Sequence, residues 1–257
     1  VKRINEINKA YTKVLIIFSI AILILSIISG FVLAKKISKP LQQISNEMIK
    51  IGRFEMERGQ PIKSIITEVM TMTKNLDVMK KGLRSFEKYL PSKLVKQLIK
   101  TGIEAEAGGE YKNMTIFFSD ITDFTATSEK IDAKSLTLYL SEYFEMMYDV
   151  IEKHNGTIDK FIGDAVMAFW NAPEDNNNHP HDACKAAIEC QQKIAELNNK
   201  WKSDDIDIQF NTRIGISTGK VIVGNIGANK RINYTIIGDT VNLTSRIEQI
   251  NKQYGTS

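Results

Sequence analysis

The apolar positions of this chain change their period three times. From Val14 to Ala34 there is no charged residue, only Ile, Leu, Val, Phe, Ala, Ser and one Gly. A helix of that length crosses a hydrocarbon core of ~30 Å. Lys35, Lys36 and Lys39 follow it, where a cleaved signal peptide would have a shorter apolar run and small residues at its exit. Apolar residues then recur at helical spacing. Leu41, Ile44, Met48 and Ile51 follow Pro40, which suits a first helical turn. A second series, Ile65, Val69, Met72, Leu76, Met79, Leu83, Phe86 and Leu90, alternates steps of four and three. Such a seam predicts helices that pair with a partner. The polar stretch from Gly52 to Pro61 is a connector, Pro91 interrupts the second series, and Gly102 can end the short helix that follows.

Beyond residue 110 the period shortens. Residues 114 to 119 read as a buried strand, and 156 to 161 with 165 to 170 as a hairpin turning at Gly163-Asp164. Ala133 to His154 carries Leu136, Leu140, Phe144, Met147 and Ile151 at helical spacing, and His179 to Trp201 forms another helix. Strands are expected at about 206 to 218 and 220 to 227, split by a hairpin at Thr218-Gly219. A strand, a Gly-Asp turn and a helix follow over residues 231 to 248. The order is βαββαβ.

Composition narrows the class. A chain of 257 residues, 43% apolar and 25% charged, has room for one full globular domain plus smaller elements. The net charge of +4 comes from basic residues interleaved with acidic ones, a pattern that argues against nucleic acid as a partner. Cys184 and Cys190, six apart in one predicted helix, are not expected to pair. His179 and His181 flank Pro180 without a third ligand at metal spacing and read as a solvated helix start. Trp170 reads as core. Gly224, Gly227 and Gly238 precede no glycine-rich loop opening a helix, which disfavours a dinucleotide fold.

The candidate chemistry lies at strand ends. Asp120 ends one apolar run and Asp164 sits in the hairpin turn. If the hairpin lies beside the first strand, the two carboxylates converge, with backbone N–H groups of the strand-to-loop turn next to them. That combination suits a hard cation and a polyphosphate. Asn242 and Arg246, four apart, share one helix face.

The set FSDITDFT, KFIGDAVMAFW, GISTGKVIVGNIG and YTIIGDTVNLTSRIE resembles, in order and separation, the catalytic domain of class III adenylate and guanylate cyclases, over about residue 111 to the end. The resemblance implies an α+β fold on a ferredoxin-like palm. It implies cyclisation of a nucleoside triphosphate with two divalent ions, Mg²⁺ or Mn²⁺, held by Asp120, Asp164 and the carbonyl of Ile121. Amides from Ile121 through Thr122, Asp123 and Phe124 to Thr125 would hold the β- and γ-phosphates. Arg246 would contact the phosphate undergoing substitution and Asn242 would orient the ribose.

Lys160 and Thr235 match the base-selecting positions. A Lys donor and a Thr oxygen acceptor complement adenine, whereas guanylate cyclases typically carry Glu where Lys160 stands, so the implied substrate is ATP and the product cyclic AMP. Thr235, where Asp is commoner, and Asp123, where Gly is common, resemble the bicarbonate-responsive subgroup. A guanylate cyclase, or a catalytically dead cyclase-like relay, stands as the alternative; no GGDEF-like signature supports a diguanylate cyclase.

The two heptad helices and their connector, just after an apolar span, resemble a HAMP domain; a plain amphipathic hairpin would carry the same pattern. The expected organisation is therefore the end of a sensor region over 1–13, a transmembrane helix over 14–34, a HAMP domain over 35–85, a helical linker over 86–110 and a cyclase domain over 111–257. Start at Val1 and end at Ser257 read as a piece of a longer protein, lacking a sensor before the span and the phosphate-binding Lys and final strands after it. The family further implies a parallel homodimer with composite sites, anchored in the membrane with its catalytic domain in the cytoplasm.

Overall fold

The structure is a computed structural model that describes residues 2–56, 61–87, 89, 92–101, 106–228 and 230–257. The expectations attached to Leu90, Pro91 and Gly102 lie outside these residues. The chain divides into two compact units, Val1–Tyr89 and Leu90–Ser257.

In the first unit, α1 (Lys2–Leu33) continues through a π-helical turn (Ala34–Ser38) into α2 (Lys39–Gly52). The stretch Tyr11–Gly52 is an unbroken helix of 42 residues whose most apolar window has mean hydropathy 2.9 and no buried residue. It is long and apolar enough to cross a membrane. Pro40 follows the π-helical turn directly, where the Lys39 N–H reaches back to the Ala34 carbonyl and the i→i−4 ladder is already interrupted, so its missing N–H costs less than elsewhere in a helix. Helix α3 (Thr67–Glu87) runs parallel to α2. Lys36 and Pro40 line one cavity with Ser64 and Ile65, Glu47 pairs with Lys80 at 2.6 Å, and Arg84 Nη1 donates to the Met56 carbonyl at 3.3 Å. Partners thus advance together along both helices, as an antiparallel hairpin would forbid.

Ile44, Val69 and Leu76 form the small core between these helices. The other half of the seam, Ile65 just before α3, Met72, Met79 and Phe86 on it and Met48 on α2, is exposed. Val69 and Leu76 are seven apart, as are Ile65, Met72, Met79 and Phe86. The intrachain contact therefore uses one position per heptad and leaves the other open.

The second unit opens with α4 (Ser92–Thr101), and Lys93 Nζ donates to the Gly156 carbonyl at 3.0 Å. A sheet of β1 (Gly108–Ile121), β2 (Thr157–Ile162), β3 (Ala165–Trp170), β4 (Thr212–Ala228) and β5 (Arg231–Ile237) follows the order β2-β3-β1-β4-β5. Every pairing is antiparallel. Read as β4-β1-β3-β2, the first four strands give the ferredoxin-like palm, with β5 added as a hairpin. Helices α5 (Phe124–Ser128) and α6 (Ala133–Lys153) follow β1, α7 (His179–Ser203) follows β3, and α8 (Asp239–Tyr254) follows β5.

Strand alternation divides the interior into two cores. From β3, Val166, Ala168 and Trp170 join Tyr143, Met147 and Ile151 of α6 and Ala186 and Cys190 of α7. Met167 and Phe169 point to the opposite face, with Met114, Ile116, Val221, Val223 and Ile236. Trp170 is fully buried, as its sequence context predicts.

The expected pair of strands split at Thr218-Gly219 is corrected. β4 runs unbroken from Thr212 and pairs through Thr218↔Thr115 and Gly219↔Met114, and residues 206–211 are not strand. Gly219 serves a close approach instead of a turn: a Cβ there would lie 2.5 Å from Thr240 Oγ1 at the start of α8. Gly215 does the same further along, where a Cβ would lie 2.5 Å from the Glu248 amide nitrogen. The two glycines let α8 lie flat on β4.

Candidate active site

β1 ends at Ile121, and in its register with β4 Asp120 stands opposite Arg213. The β2–β3 hairpin turns through Gly163, at φ +66°, and Asp164. A positive φ costs a glycine nothing, and it brings the Asp164 carboxylate back to the end of β1. There Oδ2 accepts the Ile121 N–H at 3.1 Å. Burial pushes the Asp164 carboxyl up to about 6, and the charge of Asp120 adds to the rise. The two carboxylates are thus neighbours across two strands, as expected.

Sequence reasoning misses their surroundings. Arg213 Nη2 reaches Asp120 Oδ2 at 2.7 Å, its Nε reaches Glu248 Oε1 at 2.9 Å, and Nη1 donates to Thr122 Oγ1 at 3.4 Å. Glu248 is buried, and the Arg213 side chain is only 11% exposed. A cleft of about 280 Å³ is lined by Ser119, Asp120, Ala165, Arg213, Glu248 and Lys252. Three carboxylates, counting Asp164, stand here against two cationic groups, a net negative charge with hard oxygen donors. That fits Mg²⁺ or Mn²⁺. No cluster of three or more His, Cys, Asp or Glu suited to a metal occurs among the described residues, so a bound ion would draw further oxygens from the Ile121 carbonyl and from a phosphate.

Two of the amides expected to hold phosphates have partners within the chain. The Ile121 N–H is taken by Asp164, and the Thr122 N–H donates to the Asn211 carbonyl at 2.7 Å. Asp123 adopts a left-handed φ of 54° as the residue before α5. The amides of Asp123, Phe124 and Thr125 open that helix and have no intrahelical carbonyl to bind.

Lys160 and Thr235 meet although they lie on opposite edge strands. A bulge between Ile158 and Lys160 turns Asp159 inward, its side chain only 2% exposed. Thr235 Oγ1 donates to Asp159 Oδ2 at 2.5 Å. Lys160 Nζ donates to Thr235 Oγ1 at 3.3 Å and lies 3.4 Å from Asp159 Oδ1. Burial raises the Asp159 carboxyl, opposed by the Thr235 hydroxyl and the Lys160 charge. Asp159 was not among the expected site residues.

Asn242 and Arg246 are not brought to the Asp120/Asp164 pair. α8 buries Thr244 and Glu248, so residues two positions earlier point away; Asn242 and Arg246 are exposed. Neither side chain has a hydrogen-bond or ion-pair partner among the described residues.

His179 departs from its expected solvated setting. It is buried, and its Nδ1 shares a 2.7 Å hydrogen bond with Thr115 Oγ1. Desolvation, then the nearby Lys112, lowers its pKa. Cys184 is exposed and Cys190 buried, both unpaired, and burial pushes the Cys190 thiol up to about 12.

The likeness to known proteins bears on this geometry. The chain is 33% identical over 237 residues to Adenylate cyclase 1 of Rhizobium meliloti (strain 1021), which covers 92% of this chain and 36% of that protein. Among solved structures, the adenylyl cyclase CyaB from P. aeruginosa is 39% identical at a TM-score of 0.54, covering 56% of this chain and 74% of that one. The guanylyl cyclase Cya2 is 38% identical at a TM-score of 0.53, covering 56% and 73%. The chain spans 36% of the length of that Rhizobium meliloti protein and 51% of that of an adenylate cyclase of Anabaena cylindrica, to which it is 32% identical. Residues 107–254 match the adenylate and guanylate cyclase catalytic domain, and the chain belongs to that family.

Proposed function

We propose that the chain is the membrane-proximal and catalytic part of an adenylate cyclase that converts ATP to cyclic AMP and pyrophosphate. The observation that carries the reading is the pairing of Lys160 with Thr235 in a chain whose Asp120 and Asp164 converge. In the reaction the 3′-oxygen forms a bond to the α-phosphorus as the bond to pyrophosphate breaks. Two divalent ions held by Asp120, Asp164 and the Ile121 carbonyl would neutralise charge on the attacking and leaving oxygens. The amides of Asp123, Phe124 and Thr125 hold phosphate oxygens. Asn242 orients the ribose, and the Arg246 guanidinium, a permanently charged fork, takes up negative charge at the α-phosphate.

The exposure of Asn242 and Arg246, away from the Asp pair of their own chain, supports sites composed from two copies. The open heptad positions Ile65, Met72, Met79 and Phe86 support a parallel homodimer. The parallel run of α2 and α3 supports a HAMP domain over 35–85, and the apolar helix supports a membrane anchor at 14–34 with the catalytic domain in the cytoplasm, where its nucleotide is found.

The likeness to a guanylyl cyclase keeps GTP as the second reading. Lys160 weighs against it, because an ammonium meets an acceptor on adenine and a ring N–H on guanine. An opposed donor pair costs about 1 to 3 kcal/mol, a discrimination of roughly tenfold to a hundredfold. The full-length protein should show higher kcat/KM for ATP than for GTP, with Lys160→Glu eroding the preference. A wild type that prefers GTP establishes the guanylate cyclase. One that turns over neither nucleotide, with both bound, is a relay.

A further inference from the structure

Asp159 is used by none of the steps above, yet its carboxylate is nearly fully buried and gathers three donors. They are the Thr235 hydroxyl, the Ile236 N–H and, across 3.4 Å, the Lys160 ammonium. An ionised carboxylate has no proton to give, so it accepts from all three, the Thr235 hydroxyl included. The Thr235 proton must therefore point at Asp159. A hydroxyl has one proton and two lone pairs. The proton is committed to Asp159 and one lone pair receives Lys160 Nζ, which leaves a single lone pair on Oγ1.

We propose that Asp159 is a positioning residue for base selection: by holding the Thr235 proton it turns an ambivalent hydroxyl into an acceptor only. The inference rests on the adenylate reading of the Lys160–Thr235 site. A free threonine hydroxyl rotates and would donate to the guanine carbonyl as readily as it accepts from the adenine amino group. With its proton engaged, Oγ1 can receive the amino hydrogen of adenine but offers nothing to guanine. Asp159 reaches this position because the bulge in β2 turns it inward while Lys160, the next residue, points toward the site.

The test is kcat/KM for ATP and GTP in the full-length protein carrying Asp159→Asn, Thr235→Val or both. In Asp159→Asn the amide can donate to Oγ1 and free the hydroxyl proton. The ATP:GTP ratio should then fall about three- to tenfold, chiefly through better use of GTP, in line with one neutral hydrogen bond. In the Thr235→Val background the same substitution should leave the ratio unchanged, because the hydroxyl through which Asp159 acts is gone. A folded Asp159→Asn enzyme with the wild-type ratio overturns the proposal, as does an equal fall in both backgrounds. Where Asp159→Asn does not fold, Asp159→Ser, which removes the carboxylate without adding volume, must lower the ratio in the same direction. A wild-type preference for GTP overturns the adenylate reading itself; a wild-type preference for ATP that ignores Asp159 overturns only the role given to this residue.

Discussion

At Asp164 a proton and a cation compete for the same oxygens. Its carboxyl is raised from 3.8 to about 6, so the folded state binds the proton more tightly than the unfolded chain does. The stability from that proton is fully present below about pH 4 and is lost as pH rises through about 6. Cation binding has the opposite sign, since it needs the ionised form. Metal-dependent turnover should rise with pH through about 6, and its midpoint should move lower as Mn²⁺ is increased. A midpoint indifferent to Mn²⁺ would detach Asp164 from the metal, as would near-normal activity of Asp164→Ala. Arg213 governs stability at the same place. Arg213→Ala leaves Glu248 buried without a partner and should cost on the order of 3 kcal/mol in denaturant unfolding. Adding Glu248→Gln should recover part of that loss; a double variant as unstable as the single one would mean that the packing of the Arg213 stem, not its charge, is what counts.

The element with the clearest division of labour is α3. Val69 and Leu76 close against Ile44 of α2, while Ile65, Met72, Met79 and Phe86 remain uncovered. A second copy covering that stripe would have to keep its phase through residue 87. Inserting three residues beside Lys81 leaves everything downstream about 60° out of its former phase, whereas seven residues restore the heptad position. Basal turnover of the full-length protein should change strongly with three and little with seven. Equal turnover for both would make α3 a spacer with no part in regulation. Two glycines of β4 act at this scale too, since Gly215 and Gly219 set how closely α8 approaches the sheet.

For the whole molecule the question is where one active site ends. The catalytic unit gathers Asp120, Asp164 and Arg213 at one end of the sheet, joins Lys160 to Thr235 through its edge strands, and leaves Asn242 and Arg246 exposed on α8. If two copies complete each other, Asp120→Ala and Arg246→Ala are each inactive alone, yet their mixture should regain activity at one site per heterodimer. Heterodimers that form and remain inactive would mean that each chain builds its sites alone.

What the sequence by itself determined is what local physics can carry. An uncharged run of sufficient length, a heptad period, apolar strands ending in Asp120 and Asp164, and a glycine turn between β2 and β3 are readable because each depends on neighbours a few residues away. The motif set carried the family for the same reason. The tertiary structure alone decided the partners. Arg213 meets Asp120 across 93 residues and Thr235 meets Asp159 across 76, and such pairs follow from strand register and a bulge that no local pattern encodes. Gly219 shows the limit most plainly: a Thr-Gly pair between two apolar runs has the local chemistry of a hairpin, and only the arrival of Thr240 from α8 explains why a glycine stands inside a straight strand. His179, polar and beside a proline at a helix start, is buried for the same kind of reason, since Thr115 lies 64 residues earlier with a hydroxyl to receive it.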